Sequence, residues 1–406
     1  MSCDVGRFPV LRVDCAITLD SAHDRSVGGA SNRRSSEDKE RGMRTFVPRV
    51  CAATAAVGAA VVIAACGSSS TSSSNTSTSA SGSSQASTSS ASTSNAGKSS
   101  KPIKVAYFEI VQANTFVHAE YEGMKSVADK EGVDLVPFDG DLNPSQQTSQ
   151  IQDANAGGGY AGYLVEAVSN SAMYPVKQAI AKGIKVVTVN QPLGPNQASG
   201  ATQIAGEVAA VMTPATLDGQ HVGQLIVNAC GSSPCKVGVI VASTSNPSEA
   251  AKLTAIKQIV APHHNIQIVG VGQGQFTTAG GITAAQNLMQ ANPDINVLAS
   301  TGDDMELGAQ KVIDQLGKTN VKLVGGGGSS TAVALVRSGK WFGTTTKLPF
   351  TEGQLAMAAL IAAIRGHGTT GQSINPGTSS LGEKIGPEID KQSLEADPSF
   401  QGQWQA

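Results

Sequence analysis

Asp303 and Asp304 stand side by side after an apolar run, and adjacent carboxylates can work as an acid/base pair. Without a nucleophile beside them, a binding or helix-capping role is the safer reading. His263 and His264, in "APHHNIQ", could ligate a metal, but neighbouring histidines between a helix and a strand are more often solvated loop residues. "GGGGSS" at 325–330 does not fit the G-x-S-x-G elbow of a hydrolase. Its backbone N–H groups could cradle an anion, or the glycines could make a permissive turn at a domain cleft. No G-x-x-x-x-G-K-[ST], H-E-x-x-H or EF-hand pattern occurs. Nucleotide hydrolysis, metalloprotease action and calcium gating therefore have no starting point, and neither a cofactor nor a metal is expected.

Cys230 and Cys235 flank "GSSP". In an exported chain this pair should close a local disulfide, since the short Gly/Pro-containing turn lets the two Cα atoms approach. So small a loop should add little stability. With no matching His or Cys pair nearby, zinc is poorly supported.

A formal net charge of −2 and a charged fraction of 15% leave no basic field for a phosphate backbone, so nucleic acid is not an expected partner. Residues 50–65, "VCAATAAVGAAVVIAA", carry no charge, follow Arg44 and Arg49, and end at Cys66. A positive stretch, a short apolar core and small residues before a cut describe a secretory signal peptide. The alternative, a membrane-spanning helix, needs roughly 20 apolar residues. Ile63-Ala64-Ala65-Cys66-Gly67 resembles the lipobox of bacterial lipoproteins, which implies that Cys66 is acylated and becomes the first mature residue. Met43 opens "MRTFVPRV" directly before the apolar run, so 43–65 reads as the signal and 1–42 as a misassigned or disordered extension, or else a cytoplasmic tail. From Gly67 to Ser100 the chain is nearly all Ser, Thr, Ala, Asn and Gly. Such a stretch cannot bury enough apolar surface to order itself, so 66–100 is an anchor plus flexible tether with a reach of about 30 Å.

The elements that must position any chemistry begin near Pro102. Short β-branched runs, "IKVAYF" (103–108), "DLVPF" (134–138), "GYLVE" (162–166) and "IKVVTV" (184–189), alternate with helix-patterned segments that close on glycine. The rhythm resumes with "KVGVIV" (236–241), "IQIVGV" (266–271), "INVLAS" (295–300) and "VKLVGG" (321–326). Strand and helix in alternation predict α/β architecture with parallel sheets, and the two sets predict two doubly wound, Rossmann-like lobes. A single eight-stranded barrel is the rival, but 191–219 is too long for a loop inside one.

From about Lys101 to Gly366 the chain resembles the ribose- and galactose-type substrate-binding proteins of ABC importers, the type I periplasmic binding protein fold. The resemblance rests on "NTFVHAEYEGMKSVADKEGVDL", "GIKVVTVNQP", "NLMQANPDINVLASTGDDMELGA", "VKLVGGGG" and "GKWFGTTTKLP". It implies two lobes joined by a three-crossover hinge and closing on a ligand: 101–205 plus 348–372, and 206–347 plus 373–406. Carried over position by position, Asn114 matches a sugar-bonding asparagine, Phe116 a stacking aromatic and Phe276 the aromatic of the second lobe. Asn190-Gln191 replaces an acid–arginine pair, Lys252 an arginine, Gly302 an asparagine, Gly327 an aspartate and Lys347 a glutamine. Asp303 and Ser329 complete the expected ligand set.

Two acidic acceptors are thus missing, and two lysines stand near a glycine turn. The ligand is expected to be smaller than a pyranose or negatively charged, unless Lys252 and Lys347 point to solvent. The expected function is that of a monomeric, lipid-anchored receptor on the outer face of the cytoplasmic membrane. It hands a sugar or related solute to a permease and its ATPase, and is not an enzyme. A sensor signalling to a histidine kinase or chemoreceptor would use the same lobes. The stretch after Gly366 is expected to run back over the second lobe and dock Phe400 and Trp404.

Overall fold

The computed structural model describes residues 102–406. The signal, the anchor at Cys66 and the tether lie outside them. The first lobe runs β1 (Ile103–Glu109), α1 (Thr115–Glu131), β2 (Val133–Asp139), α2 (Pro144–Gly157), β3 (Gly162–Val165), α3 (Met173–Ala181), β4 (Lys185–Val189) and β5 (Ala209–Val211). The second runs α4 (Ala215–Cys230), β6 (Cys235–Val241), α5 (Pro247–Val260), β7 (Ile266–Gln273), α6 (Thr278–Ala291), β8 (Val297–Ser300), α7 (Asp303–Gln315), β9 (Lys322–Val324), α8 (Ser330–Arg337) and β10 (Gly343–Thr345). The chain returns through α9 (Pro349–Ile364) and β11 (Gln372–Ile374), then crosses again to α10 (Ser380–Ile385), β12 (Glu388–Asp390) and α11 (Lys391–Ala396).

Two six-stranded sheets result, ordered β11-β5-β4-β3-β1-β2 and β12-β10-β9-β8-β6-β7. Every pairing is parallel except β10 with β12, which is an antiparallel edge. The chain therefore passes between the sheets three times, as a hinge of three crossovers requires. Because β5 pairs with β4 and β11 with β5, the boundaries expected at 205/206 and 372/373 move to after Val211 and after Ile374.

Each sheet is covered on both faces. One apolar cluster of the first lobe joins Val105, Tyr107 and Val187 to Met357 and Leu360 of α9, and another joins Ala106, Phe108 and Val165 to Ile151 and Val176. Burial on two faces is why these strands read as continuous apolar runs rather than alternating ones. Asn114 starts α1 by accepting from the Phe116 and Val117 N–H groups, and Gly132 ends it in the left-handed conformation at φ 67°. Cys230 and Cys235 are joined across a Cα separation of 5.6 Å, tying the end of α4 to the start of β6. Phe400 and Trp404 pack into the second lobe, 6% and 8% exposed.

Candidate functional site

A cleft of about 340 Å³ opens where the carboxyl ends of both sheets face each other. Ligands bind open α/β sheets at these ends, and the volume lies within the roughly 300–1,000 Å³ of small-molecule sites. Asn114 and Phe116 reach it after β1, Glu166 after β3, and Asn190 and Gln191 after β4. Opposite them, Gln275 and Phe276 follow β7, Thr301 to Asp304 follow β8, and Gly326 and Gly327 follow β9. Lys252 enters from α5, Lys347 from the second crossover and Trp404 from the tail.

The backbone is strained at this cleft. Leu142, Asn190, Gln275 and Phe276 all line it with φ of 52° or 53°, a region that costs a non-glycine residue on the order of 1 kcal/mol. Asn190 is held there because its N–H reaches both the Val211 carbonyl at 3.0 Å and Glu352 Oε1 at 2.7 Å, while its Nδ2 donates to Glu166 Oε1 at 2.6 Å. Gln275 is fixed by its N–H to the Ala242 carbonyl at 3.0 Å.

Both lysines point inward, but neither is a free cation. Lys252 Nζ lies 3.0 Å from Asp218 Oδ2 and 2.9 Å from Glu249 Oε1, and Lys347 Nζ lies 2.8 Å from the same Asp218 oxygen. The approach of α4 to α5 makes this possible. A Cβ at Gly219 would sit 2.3 Å from the Lys252 carbonyl oxygen, so only glycine lets the helices come close enough for Asp218 to meet Lys252. Burial alone would raise the Asp218 carboxyl, yet Lys347 and Lys252 outweigh it and hold Asp218 down at about 2. Burial would likewise lower Lys252, and Glu249 and Asp218 more than reverse that. Two lysines and two carboxylates cancel, so this wall offers an anion no net positive charge.

The glycine turn offers an anion nothing either. The Gly327 and Gly328 N–H groups each donate to Thr344 Oγ1 at 3.1 Å, Ser329 N–H to Asp303 Oδ2 at 2.7 Å, and Ser330 N–H to the Trp404 carbonyl at 2.7 Å. The glycines are required by packing: a Cβ at Gly327 would lie 2.7 Å from Trp404 Cζ2. Ser329 does not line the cleft, because its hydroxyl caps α8 by accepting from Ala332 N–H at 3.1 Å. Asp303 forms part of the floor but is fully buried, and Thr344 Oγ1 donates to its other oxygen at 2.7 Å. Its place is to fix the turn, while its neighbour Asp304 keeps a partly exposed carboxyl at the cleft.

The first-lobe wall is acidic. Glu120 and Glu166 are buried around Tyr107, whose hydroxyl lies 3.2 Å from Glu120 Oε2 and 3.3 Å from Glu166 Oε2, and Glu352 is buried near them, its Oε1 accepting from Asn190 N–H. One phenolic proton cannot serve both acceptors at once, so both contacts are hydrogen bonds only if one carboxyl is protonated. Burial pushes Glu166 up to about 7, against the hydrogen bonds it receives. It pushes Glu352 up to about 8 and Glu120 well above its ordinary value, with the neighbouring glutamates adding to the rise. Burial raises Asp304 to about 6, helped by Asp303.

The residues missed in the sequence are the partners. Glu166 ends the apolar run "GYLVE", and an acid at the carboxyl end of a buried strand is a usable signal. Glu166 and Asp304 bring carboxyls to the cleft, where Asn190 and Gly327 carry none. Asp218, Glu249 and Trp404 carry no such mark. His263 and His264 are exposed in the loop before β7. Among the described residues no group of three or more His, Cys, Asp or Glu could hold a metal ion, and no helix is long and apolar enough to cross a membrane.

Residues 105–368 match the model of a periplasmic binding protein domain. The chain is 27% identical over 238 residues to the ribose import binding protein RbsB of Escherichia coli strain K12, covering 58% of this chain and 76% of that one. It is 24% identical over 269 residues to a xylitol-binding protein of Mycolicibacterium smegmatis, covering 66% and 73% respectively. An ABC transporter solute-binding protein from Mycobacterium smegmatis, solved with bound glycerol, superposes with a TM-score of 0.64 at 25% identity, over 75% of this chain and 99% of that one.

Proposed function

The chain belongs to the periplasmic binding protein family, and from that premise we propose that it is the solute-binding receptor of an ABC importer for a small, neutral, polyhydroxylated ligand of pentose or pentitol size. One observation carries the neutrality: Lys252 and Lys347 are both held by Asp218. A ligand carboxylate would have to displace a buried partner, whereas hydroxyls need the mixed acceptors and donors that Glu166, Asp304, Asn114 and Gln191 supply. A buried hydroxyl left unpaired costs about 1–3 kcal/mol, so such a set selects by the number and placement of hydroxyls.

Capture works through the hinge. The ligand is bonded by both walls only when they face each other, so binding shifts the population toward the closed arrangement. The closed form is what the permease and its ATPase receive. The ribose- and xylitol-binding relatives support a transport role and the ligand size. The family is one of binding proteins rather than enzymes. Acylation at Cys66, with the tether to Ser100, would hold this monomeric receptor at the outer face of the cytoplasmic membrane. Native mass spectrometry of chain purified without denaturation tests the reading. A retained neutral adduct of five-carbon sugar or polyol mass is the expected result; a retained sugar acid, nucleotide or peptide would overturn it.

A further inference from the structure

The last residues of the chain reach the cleft by a route that no strand or helix of the lobes provides. Phe400 is buried in the second-lobe core, and Arg337 of α8 donates from Nη2 to the Phe400 carbonyl at 2.8 Å. Trp404 is then locked at both ends: its Nε1–H donates to the Gly327 carbonyl at 2.9 Å, and its own carbonyl accepts from Ser330 N–H. Its ring occupies the space that a side chain at Gly327 would need, and meets Phe116 of the first lobe edge to face, with centroids 5.5 Å apart and planes at 77°. The neighbouring residue turns the other way. Gln403 Oε1 accepts from Thr351 N–H at 3.1 Å and Gln403 Nε2 donates to Thr351 Oγ1 at 2.7 Å. Thr351 lies in the first turn of α9, whose N-cap is Leu348, a residue with no capping group. The tail of the second lobe thus caps a helix of the first.

We propose that the C-terminal segment completes the ligand site, Trp404 forming its aromatic wall and Gln403 tying that wall across to α9 of the opposite lobe. This rests on the receptor reading above and narrows it. An indole packed over Gly327 offers no hydroxyl acceptor and supplies an apolar face. The segment therefore selects a ligand that presents a C–H face to Trp404 and its hydroxyls to Glu166 and Asp304. Trp404 touches the ligand; Gln403 positions it.

The full chain is titrated with D-ribose and with xylitol by calorimetry and tryptophan fluorescence, as wild type, Trp404→Ala, Trp404→Phe and Gln403→Ala. Whichever ligand binds the wild type should bind Trp404→Ala at least tenfold more weakly and Trp404→Phe within about threefold. The sequence holds two tryptophans, so the emission change seen at saturation in the wild type should vanish in Trp404→Phe, which keeps Trp341 alone. Unchanged affinity in Trp404→Ala, or an emission change surviving in Trp404→Phe, overturns the wall. Without any ligand, amide exchange at Thr351 should quicken about fivefold in Gln403→Ala, as loss of a helix cap of about 1 kcal/mol requires. Unchanged exchange overturns the tie. If neither compound binds the wild type, the receptor reading fails on ligand class, while the exchange measurement still decides for or against the tail.

Discussion

The two walls of the cleft stand on the same α/β frame and solve the problem of buried charge in opposite ways. The second-lobe wall buries charges as pairs: Lys252 with Glu249 and Asp218, and Lys347 with Asp218. The first-lobe wall buries Glu120, Glu166 and Glu352 together, with Tyr107 and Asn190 as hydrogen-bond partners. Pairing makes a wall whose charge state is indifferent to pH near neutrality. Crowding carboxyls makes one that must keep protons. The difference teaches that one strand frame leaves the electrostatics of its loops free, and that net charge at a site is read from partners rather than from residue type.

The largest effect should come from breaking the paired wall. Asp218→Ala strands Lys347 and half-strands Lys252, and removing one partner of a buried ion pair costs about 3–5 kcal/mol. Urea unfolding should show that loss. The same variant should acquire weak affinity for D-ribonate, because its wall now carries an excess positive charge. A loss under about 1 kcal/mol would mean that the pairing is not what holds the lysines.

A smaller effect should come from titrating the crowded wall. Glu166 and Glu352 are raised in the folded chain to about 7 and about 8 from an ordinary 4.5, so the folded state keeps protons that the unfolded chain has released. Stability is then fully present below about pH 4.5 as far as these groups are concerned, and falls as pH rises through 7 to 8. The fall should be on the order of a few kcal/mol. Glu166→Gln removes one of these charges and should flatten the slope between pH 6 and 8. Urea midpoints taken across that interval check it; a slope unaltered by Glu166→Gln would place the proton uptake elsewhere.

The sequence made the frame legible wherever strands were long enough to show composition. The eight β-branched runs became β1 to β4 and β6 to β9 with end shifts of a few residues. Of the five three-residue strands, β9 is legible inside the apolar run "VKLVGG", whereas β5, β10, β11 and β12 are alanine-rich or polar and are defined only by their neighbours in the sheet. β5 lies inside the 191–219 stretch that reads as an interruption, so the first lobe extends through Val211, past the expected boundary. At the site, strand ends could be carried over by resemblance, so Asn114, Phe116, Asn190, Gln191, Lys252, Phe276, Asp303 and Lys347 all reach the cleft. What those groups do there depended on contacts between distant segments. Asp218 on α4 turns two apparent anion-binding lysines into a neutral set, Thr344 and Asp303 consume the N–H groups of the glycine turn, and Ser329 becomes a helix cap. Trp404 comes from a tail without periodicity, and nothing in its local sequence points to the cleft.

The comparison of the two walls comes to its sharpest test in a paired calorimetric titration of the wild-type chain at pH 7 with xylitol and D-ribose on one side and D-ribonate on the other. The charge-compensated cleft predicts that a neutral compound binds and that ribonate binds at least a hundredfold more weakly. Ribonate binding as tight as the neutral compounds, and weakened by Lys347→Ala, would contradict it.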